Sequence, residues 1–396
     1  MLDSYKQYLL GTKAILPHGL QCISDGAFQG CKSMTSIEIP DSVTRIGNRA
    51  FEGCTGLTNI GIPNSVTGIG RWAFEGCTGL TNIEIPDSVT EIGSRAFGYC
   101  TSLSGIEIPD SVTSIGSYAF RGCTGLTSIV ISNNVTHIGE GTFYECSGLT
   151  NIEIPNSVSV IGNLAFFGCM GLTRIEIPEG VTCIKDEAFQ GCTRLTNVKI
   201  PSSLTSIWGC VFGDCNLERI QVHPQNPYYL SICNCLLSKD RERLVLGCKN
   251  TIIPNSVTSI EDYAFFGRAG LISMEIPNSV TSIGNGAFGR CTNLVSIEIP
   301  DSVIYIGHYA FSGCTSMTSI EIPDSVTGIW SKAFEGCTGL TSIKIHIKQP
   351  SKAQALFRAT GLKDPNQISL FTPIGTEYAY RHNEYFSQFK EVIPKL

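Results

Sequence analysis

Residues 80–100 have the sequence LTNIEIPDSVTEIGSRAFGYC, and close copies of this unit recur every 23 residues along most of the chain. The phenylalanine of the unit stands at Phe28, Phe51, Phe74, Phe97, Phe120, Phe143, Phe166, Phe189, Phe212, Phe265, Phe288, Phe311 and Phe334. Every interval is 23 residues except the 53 residues between Phe212 and Phe265. A fixed period of this size predicts a solenoid, because one short unit cannot bury its apolar face alone and must stack on its neighbours.

The apolar positions of one copy predict two short strands and a turn segment. Ile83 and Ile85 point inward from a first strand, and Pro86 ends that strand because it cannot donate to a strand ladder. Val89 and Ile92 supply a second inward pair, and we expect a second short strand there. The A-F-G-Y-C stretch that follows is predicted to fill the core through a 3₁₀ or short helical turn. Each strand should pair in parallel with its copy in the next coil, which gives a superhelical stack.

The chain holds 18 cysteines, and twelve of them belong to the repeat. These twelve are Cys31, Cys54, Cys77, Cys100, Cys123, Cys146, Cys169, Cys192, Cys215, Cys291, Cys314 and Cys337. Equivalent side chains in successive coils point the same way rather than at each other, and this geometry opposes disulfide formation. Free cysteine is also among the most often buried residue types. We therefore predict a ladder of buried thiols, whose number does not indicate the redox compartment.

Charge and hydropathy exclude several function classes. The net charge is −6, with 28 basic and 34 acidic residues, and this balance argues against nucleic-acid binding, which needs a basic face. No stretch approaches the roughly 20 apolar residues that a membrane span requires. The first residues lack a basic segment followed by an apolar core, so they do not resemble a secretory signal. We therefore expect either an intracellular protein or an export signal outside this sequence.

Two segments interrupt the period and divide the chain. We predict an N-terminal cap at 1–21, a solenoid at 22–345 with an inserted hairpin at about 216–253, and a C-terminal α/β cap at 346–396. The insertion contains CLLSKDRERLVLG, two apolar stretches around a charged turn, which predicts a β-hairpin that projects from the stack. A solenoid needs a cap over its last apolar coil. Ala379, Phe386 and Phe389, with Tyr378 and Tyr380, are expected to provide a helix and a final strand for that cap.

The repeat resembles the BspA-like class of leucine-rich repeats, in which a strand ends in I-x-I-P and is followed by I-G-x-x-A-F-x-x-C. The resemblance covers about residues 22–345 and implies a leucine-rich-repeat solenoid. The insertion is similar to a hairpin of that family in which N-P-x-Y leads into the first strand, here Asn226, Pro227 and Tyr229. The tail FTPIGTEYAYRHNEYFSQF is similar to C-terminal caps of bacterial members. The resemblance implies attachment to host proteins or other cells, without enzymatic activity.

The residue between the two isoleucines of the first strand is predicted to face solvent, because those isoleucines face the core. It is a glutamate at Glu38, Glu84, Glu107, Glu153, Glu176, Glu275, Glu298 and Glu321. The row is interrupted by Gly61, Val130, Lys199, Ile252 and Lys344. The row is a candidate binding face for a basic partner or for divalent cations. The alternative is a solubilising stripe, since rows of charge are usually solvated faces.

A second column, two residues before the repeat phenylalanine, carries aromatic side chains. Trp72, Tyr118, Tyr263 and Tyr309 occupy it. Exposed aromatic residues are enriched at protein interfaces, so these four are candidate ligand-binding residues. The alternative is ordinary packing over neighbouring loops.

The insertion concentrates cysteines, but it lacks the paired C-x-x-C spacing that indicates a zinc site. The residues concerned are Cys233, Cys235 and Cys248, with Cys210, Cys215 and His223 nearby in sequence. Zinc binding, a disulfide and simple packing remain open for them, and we predict no metal site. Enzyme signatures are missing: no H-E-x-x-H, G-x-S-x-G, phosphate-binding loop or dinucleotide fingerprint occurs. We therefore predict no catalytic residues and no cofactor.

Together these features predict a non-catalytic protein-binding module. The family resemblance favours a cell-surface or secreted adhesin that binds host or cell-surface macromolecules through the solenoid face. The alternative is an intracellular protein–protein interaction scaffold, which the missing signal and the many thiols favour.

Overall fold

The computed structural model describes residues 8–395, and the chain forms two compact units, Met1–Cys215 and Asn216–Leu396. Each unit is a stack of short strands and turns, so the predicted leucine-rich-repeat solenoid is confirmed. The predicted N-terminal cap falls partly on residues 1–7, which lie outside the described residues. The domain boundaries at 21, 345 and about 216–253 remain predictions.

The first unit contains strands β1 to β18. Their bounds are β1 Leu9–Leu10, β2 Lys13–Ile15, β3 Cys22–Ile23, β4 Ser36–Glu38, β5 Arg45–Ile46, β6 Asn59–Gly61, β7 Gly68–Ile69, β8 Asn82–Glu84, β9 Glu91–Ile92, β10 Gly105–Glu107, β11 Ser114–Ile115, β12 Ser128–Val130, β13 His137–Ile138, β14 Val160–Ile161, β15 Arg174–Glu176, β16 Cys183–Ile184, β17 Asn197–Ile200 and β18 Ser206–Ile207.

The second unit contains strands β19 to β32, helices α1 and α2 and two 3₁₀ helices. Their bounds are β19 Arg219–Val222, β20 Tyr229–Ile232, β21 Cys235–Ser238, β22 Arg243–Gly247, β23 Ser259–Ile260, β24 Ser273–Glu275, β25 Ser282–Ile283, β26 Ser296–Glu298, β27 Tyr305–Ile306, β28 Ser319–Ile322, β29 Gly328–Ile329, β30 Ser342–Ile345, α1 Pro350–Phe357, a 3₁₀ helix at Pro365–Gln367, β31 Ser369–Thr372, α2 Glu377–Arg381, a 3₁₀ helix at Phe386–Gln388 and β32 Glu391–Pro394.

Strands of the repeat pair in parallel with their own copies in the next coil. In the first unit, the second strands of successive coils form a sheet in the order β11-β9-β7-β5-β3. The first strands pair in the same register, with Ile83 of β8 beside Ile60 of β6. Most first strands are short because a proline follows them, and the carbonyl of Pro86 accepts the amide of Val89 at 3.0 Å to close a turn.

The segment around the repeat phenylalanine differs from the predicted 3₁₀ or short helical turn. Amides bond three residues back within the coil, as in Cys54 N to Phe51 O at 3.1 Å. The alternate amides instead donate to the next coil, as in Phe51 N to Ala73 O and Gly53 N to Glu75 O, both at 2.7 Å. A continuous 3₁₀ helix does not form, because half of its amides hold neighbouring coils together.

The repeat phenylalanines form the centre of the core, and each is at most 1% exposed. Their rings stack on the ring of the next coil with centroids 5.0–5.7 Å apart and planes within 17° of parallel. Offset stacking of this kind adds to the free energy that burial of the rings already supplies. Core formation therefore depends on every coil placing its ring at the same height and angle.

The predicted ladder of buried thiols is present beside this stack. From Cys54 onward, each of these thiols donates to the carbonyl of the phenylalanine 26 residues earlier, as in Cys123 Sγ to Phe97 O at 3.0 Å and Cys146 Sγ to Phe120 O at 3.1 Å. Burial raises the pKa of Cys123 and Cys169 to about 12. Cys123 and Cys169 are therefore protonated hydrogen-bond donors at neutral pH.

The insertion is part of the stack, and the prediction that it projects is wrong. Strands β21 and β22 pair antiparallel, and β22 then pairs in parallel with β23 of the next coil. Leu236, Leu237 and Leu244 are fully buried, which a projecting hairpin would not allow. Strand β20 begins at Tyr229 of the N-P-x-Y motif and pairs antiparallel with β21 across a two-residue turn. That turn is Cys233-Asn234, with φ of 51° and 60°, the conformation of a type I′ hairpin turn.

The C-terminal segment contains the expected helix and final strand, and it buries three of the five side chains predicted for the cap. Tyr380 and Phe386 are fully buried, and the Tyr380 hydroxyl donates to the carbonyl of Ile347 at 2.6 Å. Ala379 and Tyr378 are exposed, contrary to their predicted role in the cap. Strands β31 and β32 continue the parallel sheet beyond β30, so strand pairing does not stop where the repeat sequence stops.

Candidate ligand-binding surface

The glutamate row lies on the exposed side of the first strands, as the alternation of side chains predicts. In and beside β8, Ile83 and Ile85 are at most 5% exposed, whereas Glu84 between them is exposed. The glutamate is exposed in the other coils of the row as well, with one exception. Glu321 is half-buried rather than exposed. The repeat therefore presents one carboxylate per coil to solvent wherever this position is a glutamate.

Lysines neutralise particular members of the row. Lys13 bonds Glu38, and Lys199 lies 3.3 Å from Glu176. Exposed pairs of this kind contribute little to stability, but they remove a free negative charge from the face.

Glu321 is held more tightly than the other glutamates of the row. Lys344 Nζ lies 3.0 Å and His346 Nε2 lies 2.6 Å from its carboxylate oxygens. Partial burial raises the pKa of Glu321, but the hydrogen bonds from His346 and Lys344 outweigh this effect and leave the pKa below its ordinary value. Glu321 is therefore an ionised structural residue rather than an open ligand position.

Five glutamates of the row have no ion-pair partner within residues 8–395. They are Glu84, Glu107, Glu153, Glu275 and Glu298. Glu275 and Glu298 are direct neighbours in the register of β24 and β26. Two carboxylates on adjacent strands, about 5 Å apart, repel each other by roughly 0.8 kcal/mol in water. A cation placed between them would relieve that repulsion.

The aromatic column is only partly exposed, which corrects the prediction for two of its members. Trp72 and Tyr118 are half-buried. The guanidinium of Arg49 lies 4.8 Å from the Trp72 ring centroid, and that of Arg95 lies 5.5 Å from the Tyr118 ring. Both rings therefore already contact a cation from the preceding coil.

Tyr263 and Tyr309 are more open, at 37% and 42% exposed. Lys332 Nζ lies 5.5 Å from the Tyr309 ring centroid. All four aromatic residues have a positive φ between 55° and 59°, which is the left-handed region. Residues other than glycine adopt this conformation at a cost, so the fold imposes it at this position of the coil.

Sequence reasoning missed a cluster around Arg121, one residue after the repeat phenylalanine. Its guanidinium lies 5.2 Å from the Tyr99 ring, 5.8 Å from the Tyr118 ring and 5.0 Å from the Tyr144 ring. Tyr144 in turn stacks on Phe167 with centroids 5.0 Å apart. The sequence already indicated this cluster. In three successive coils the residue after the repeat phenylalanine is Arg121, Tyr144 and Phe167.

Sequence reasoning also missed two exposed tryptophans, Trp208 at 62% and Trp330 at 52% exposed. Both occupy the position that is glycine in most copies of the repeat. In the ordinary copies a Cβ at this glycine would collide with the preceding coil, as at Gly70, where it would lie 2.6 Å from the carbonyl carbon of Gly47. A tryptophan at this position lies outside the core, and each of the two departs from the glycine that most copies of the repeat carry.

A comparison with protein families identifies the repeat. The profile described as BspA type leucine rich repeat region matches residues 4–127, 113–233 and 246–383, in six copies. The chain belongs to the BspA type leucine-rich repeat family. The family fold is a binding scaffold rather than a fold built around an active-site pocket.

Solved structures of bacterial leucine-rich repeat proteins resemble this BspA type chain over nearly its whole length. A leucine-rich repeat protein from Bacteroides ovatus is 30% identical, with a TM-score of 0.56 and 91% of both chains covered. A leucine rich cell surface protein from Faecalibacterium prausnitzii is 30% identical, with a TM-score of 0.51, and covers 97% of this chain and 88% of its own. The pneumococcal vaccine antigen PcpA, at 17% identity and a TM-score of 0.50, shares the fold and covers 98% and 95%. No curated protein sequence matches this chain.

The inserted cysteines of this BspA type repeat are arranged for packing. Cys235 and Cys248 are fully buried, and burial raises the pKa of each to about 12, which opposes the thiolate that zinc requires. Cys233 is exposed at the tip of its turn. Within residues 8–395, no group of three His, Cys, Asp or Glu side chains is placed to hold a metal ion.

The helices of this BspA type chain are short. None of those in residues 8–395 combines the length and the apolar character that crossing a membrane would need.

Proposed function

We propose that this chain is a non-catalytic protein-binding module that acts as a cell-surface or secreted adhesin. Its partner is a host or cell-surface macromolecule with a basic patch. The observation that carries the proposal is the regular display of one exposed carboxylate per coil in Glu84, Glu107, Glu153, Glu275 and Glu298, without ion-pair partners in the described chain. A face of this kind binds by many weak contacts spread over several coils. The 30% identity to a protein described as a leucine rich cell surface protein supports the location.

Replacing Glu84, Glu107 and Glu153 with Gln is expected to weaken binding of a decalysine peptide at low ionic strength. Each exposed ion pair contributes roughly 0.2–1 kcal/mol, so the triple variant should bind about threefold to a hundredfold more weakly. Titration calorimetry across a salt series measures the effect, because attraction between exposed charges is screened by salt.

A matched variant with the same charge change is available at other exposed positions of the first unit. Asp41, Asp87 and Glu91 are exposed and lie outside the row. The control Asp41→Asn, Asp87→Asn and Glu91→Gln should change the affinity less than the row variant does. Equal effects of the two variants would reduce the row to a solubilising stripe.

The location is tested by protease shaving of intact source cells, followed by detection of the chain in surface and cytosolic fractions. Loss of the chain from intact cells is the expected result, and it would justify screening host matrix proteins for binding. Protection until lysis would contradict a surface location.

An intracellular interaction scaffold is the second candidate function. It is favoured by the cysteines of the described residues, which are present as thiols, including Cys233 at an exposed turn. Exposed thiols persist most readily in a reducing compartment. Protection of the chain in the shaving experiment would support this candidate.

A further inference from the structure

A cleft in the second unit is lined by aromatic side chains and by one carboxylate. Tyr305, His308 and Trp330 form its aromatic wall, and Asp262 and Asn285 contribute its polar side chains. The cleft volume is about 330 Å³. Tyr305 is 50% and Trp330 is 52% exposed, so the rings are accessible from solvent. No residue of the glutamate row or of the aromatic column lines this cleft.

The three rings form a continuous wall because the intervening strand residue is small. A Cβ on Gly328 would lie 2.9 Å from Cδ1 of Tyr305 and 3.8 Å from Nε1 of Trp330, so both side chains approach the same point of the backbone. The rings of His308 and Trp330 are 5.2 Å apart. Any larger residue at Gly328 would therefore separate Tyr305 from Trp330.

The carboxylate of Asp262 is fixed by its neighbour. Its Oδ1 accepts the backbone amide of Asn285 at 2.6 Å, and its Oδ2 accepts the side-chain amide of Asn285 at 3.1 Å. Asn285 Oδ1 accepts the amide of His308 at 2.8 Å, so the polar side is held in one arrangement. Asp262 is the only acidic side chain lining the cleft, and no lysine or arginine lines it. The cleft therefore favours a cation.

Elsewhere in the chain, cationic side chains lie over aromatic rings and beside a carboxylate. Arg95 lies over the Tyr118 ring at 5.5 Å and 4.0 Å from Glu75. Lys332 lies over the Tyr309 ring at 5.5 Å and 3.4 Å from Glu335. Each site combines a ring, a cation and a carboxylate.

Arg49 repeats this combination with Trp72, at 4.8 Å from the ring centroid and 3.8 Å from Glu52. The cleft has the ring and the carboxylate, but no arginine or lysine of the described chain lies over Trp330 or Tyr305. We propose that this position is filled by an arginine or lysine side chain of a bound protein partner. The proposal rests on the proposed protein-binding function and names the group that the partner presents. Cation–π contact with Trp330 supplies the recognition, and the negative charge of Asp262 in the lining of the same cleft adds attraction.

The experiment uses the whole chain labelled with 5-fluorotryptophan, whose three tryptophans give three ¹⁹F resonances. The probe is the peptide acetyl-Gly-Gly-Arg-Gly-Gly-amide, and its control replaces arginine with citrulline, which has nearly the same shape without the charge. We expect the arginine peptide to shift the Trp330 resonance with an affinity about threefold to thirtyfold above that of the citrulline peptide.

Variants from the repeat itself provide the controls. Trp330→Gly restores the commonest residue at this position, and Tyr305→Ser restores the residue found at Ser282, so both should fold. Each is expected to abolish or strongly weaken arginine-peptide binding, which is measured by titration calorimetry because Trp330→Gly has no Trp330 resonance. Trp208 is exposed and occupies the same repeat position as Trp330, but it lies outside the cleft and the same position of the preceding coil is Lys185. Trp208→Gly should therefore leave binding of the arginine peptide unchanged.

Three results would overturn the proposal. The citrulline peptide could bind as well as the arginine peptide, or Trp330→Gly could leave binding unchanged. A shift of the Trp330 resonance by methyl α-glucoside, without one by the arginine peptide, would instead identify a saccharide cleft. None of these results affects the shaving experiment or the glutamate variants, so failure of the cleft is distinguishable from failure of the proposed function.

Discussion

Raising the pH above about 9 is expected to unfold the first unit within a narrow pH range. Seven of its buried repeat thiols have a raised pKa, namely Cys54, Cys77, Cys100, Cys123, Cys146, Cys169 and Cys192. Burial is the main cause in each case, because a thiolate in the core would lack solvation. In the unfolded chain the same thiols titrate near their ordinary pKa of about 8.5.

The direction of the effect follows from the proton balance. Above pH 8.5 or so the unfolded chain loses these protons first, whereas the folded chain keeps them until the pH approaches about 12, the pKa of Cys123 and Cys169. The folded state therefore binds more protons, and its stability falls as the pH rises. Each thiol contributes about 1.4 kcal/mol per pH unit, so seven together lower the free energy of unfolding by about 10 kcal/mol per pH unit. A domain has roughly 5–15 kcal/mol in all.

Urea unfolding followed by circular dichroism, at a series of pH values between about 7 and 10.5 and in the presence of a reductant, measures this dependence. The double variant Cys123→Ser and Cys169→Ser keeps two hydrogen-bond donors but removes two ionisable thiols. The slope of the free energy of unfolding against pH should therefore become shallower by the contribution of about two protons. The control Cys22→Ser changes a thiol that is exposed and should leave the slope unchanged. A free energy of unfolding that is flat between about pH 8 and 10 would contradict the prediction.

Phe97→Ala is expected to cost about 3–5 kcal/mol of unfolding free energy, the range for removing a fully buried aromatic ring. Phe97 is 0% exposed and lies between the rings of Phe74 and Phe120, each with its centroid 5.4 Å away. The alanine variant loses both stacking contacts and leaves a cavity that the coils cannot close. Their spacing is fixed by backbone bonds such as Phe97 N to Ala119 O at 2.8 Å.

Denaturant unfolding measures the loss, and two further variants locate its origin. Phe97→Leu keeps much of the apolar volume and should cost less than the alanine variant. Val130→Ala changes a residue that is 60% exposed in the same unit and should stay within about 0.5 kcal/mol of the natural protein. A loss below about 1 kcal/mol for Phe97→Ala would mean that neighbouring coils repack around the gap.

The period and the strand alternation were sufficient to predict the stack, the buried phenylalanines and the exposed glutamates. These features depend only on the side-chain spacing within one coil, which every copy repeats. Glu84 between Ile83 and Ile85 is exposed for the same reason that its equivalents are. Similarly, the thiol ladder followed from equivalent side chains that point in the same direction.

Features that depend on contacts between different coils could not be predicted. The half-burial of Trp72 and Tyr118 results from arginines 23 residues earlier in the chain, whose reach over the ring is not visible in one copy. The projecting hairpin was wrong because the pairing of β22 with β23 depends on a partner outside the insertion. The cleft at Trp330 combines substitutions at different positions of successive coils, and each alone resembles ordinary variation.

Side-chain hydrogen bonds between coils also occur at fixed positions of the repeat. Ser65 Oγ donates to Val43 O, Thr67 Oγ1 donates to Thr44 O and Cys77 Sγ donates to Phe51 O, at separations of 22, 23 and 26 residues. Because most coils repeat these donors and acceptors, recombination that adds or removes one whole 23-residue unit leaves the repeated donors with equivalent acceptors. Loss of a single residue would misalign all of them at once. Genes for such chains can therefore change length by unequal crossing-over while each new protein still folds, and coil number becomes a trait open to selection.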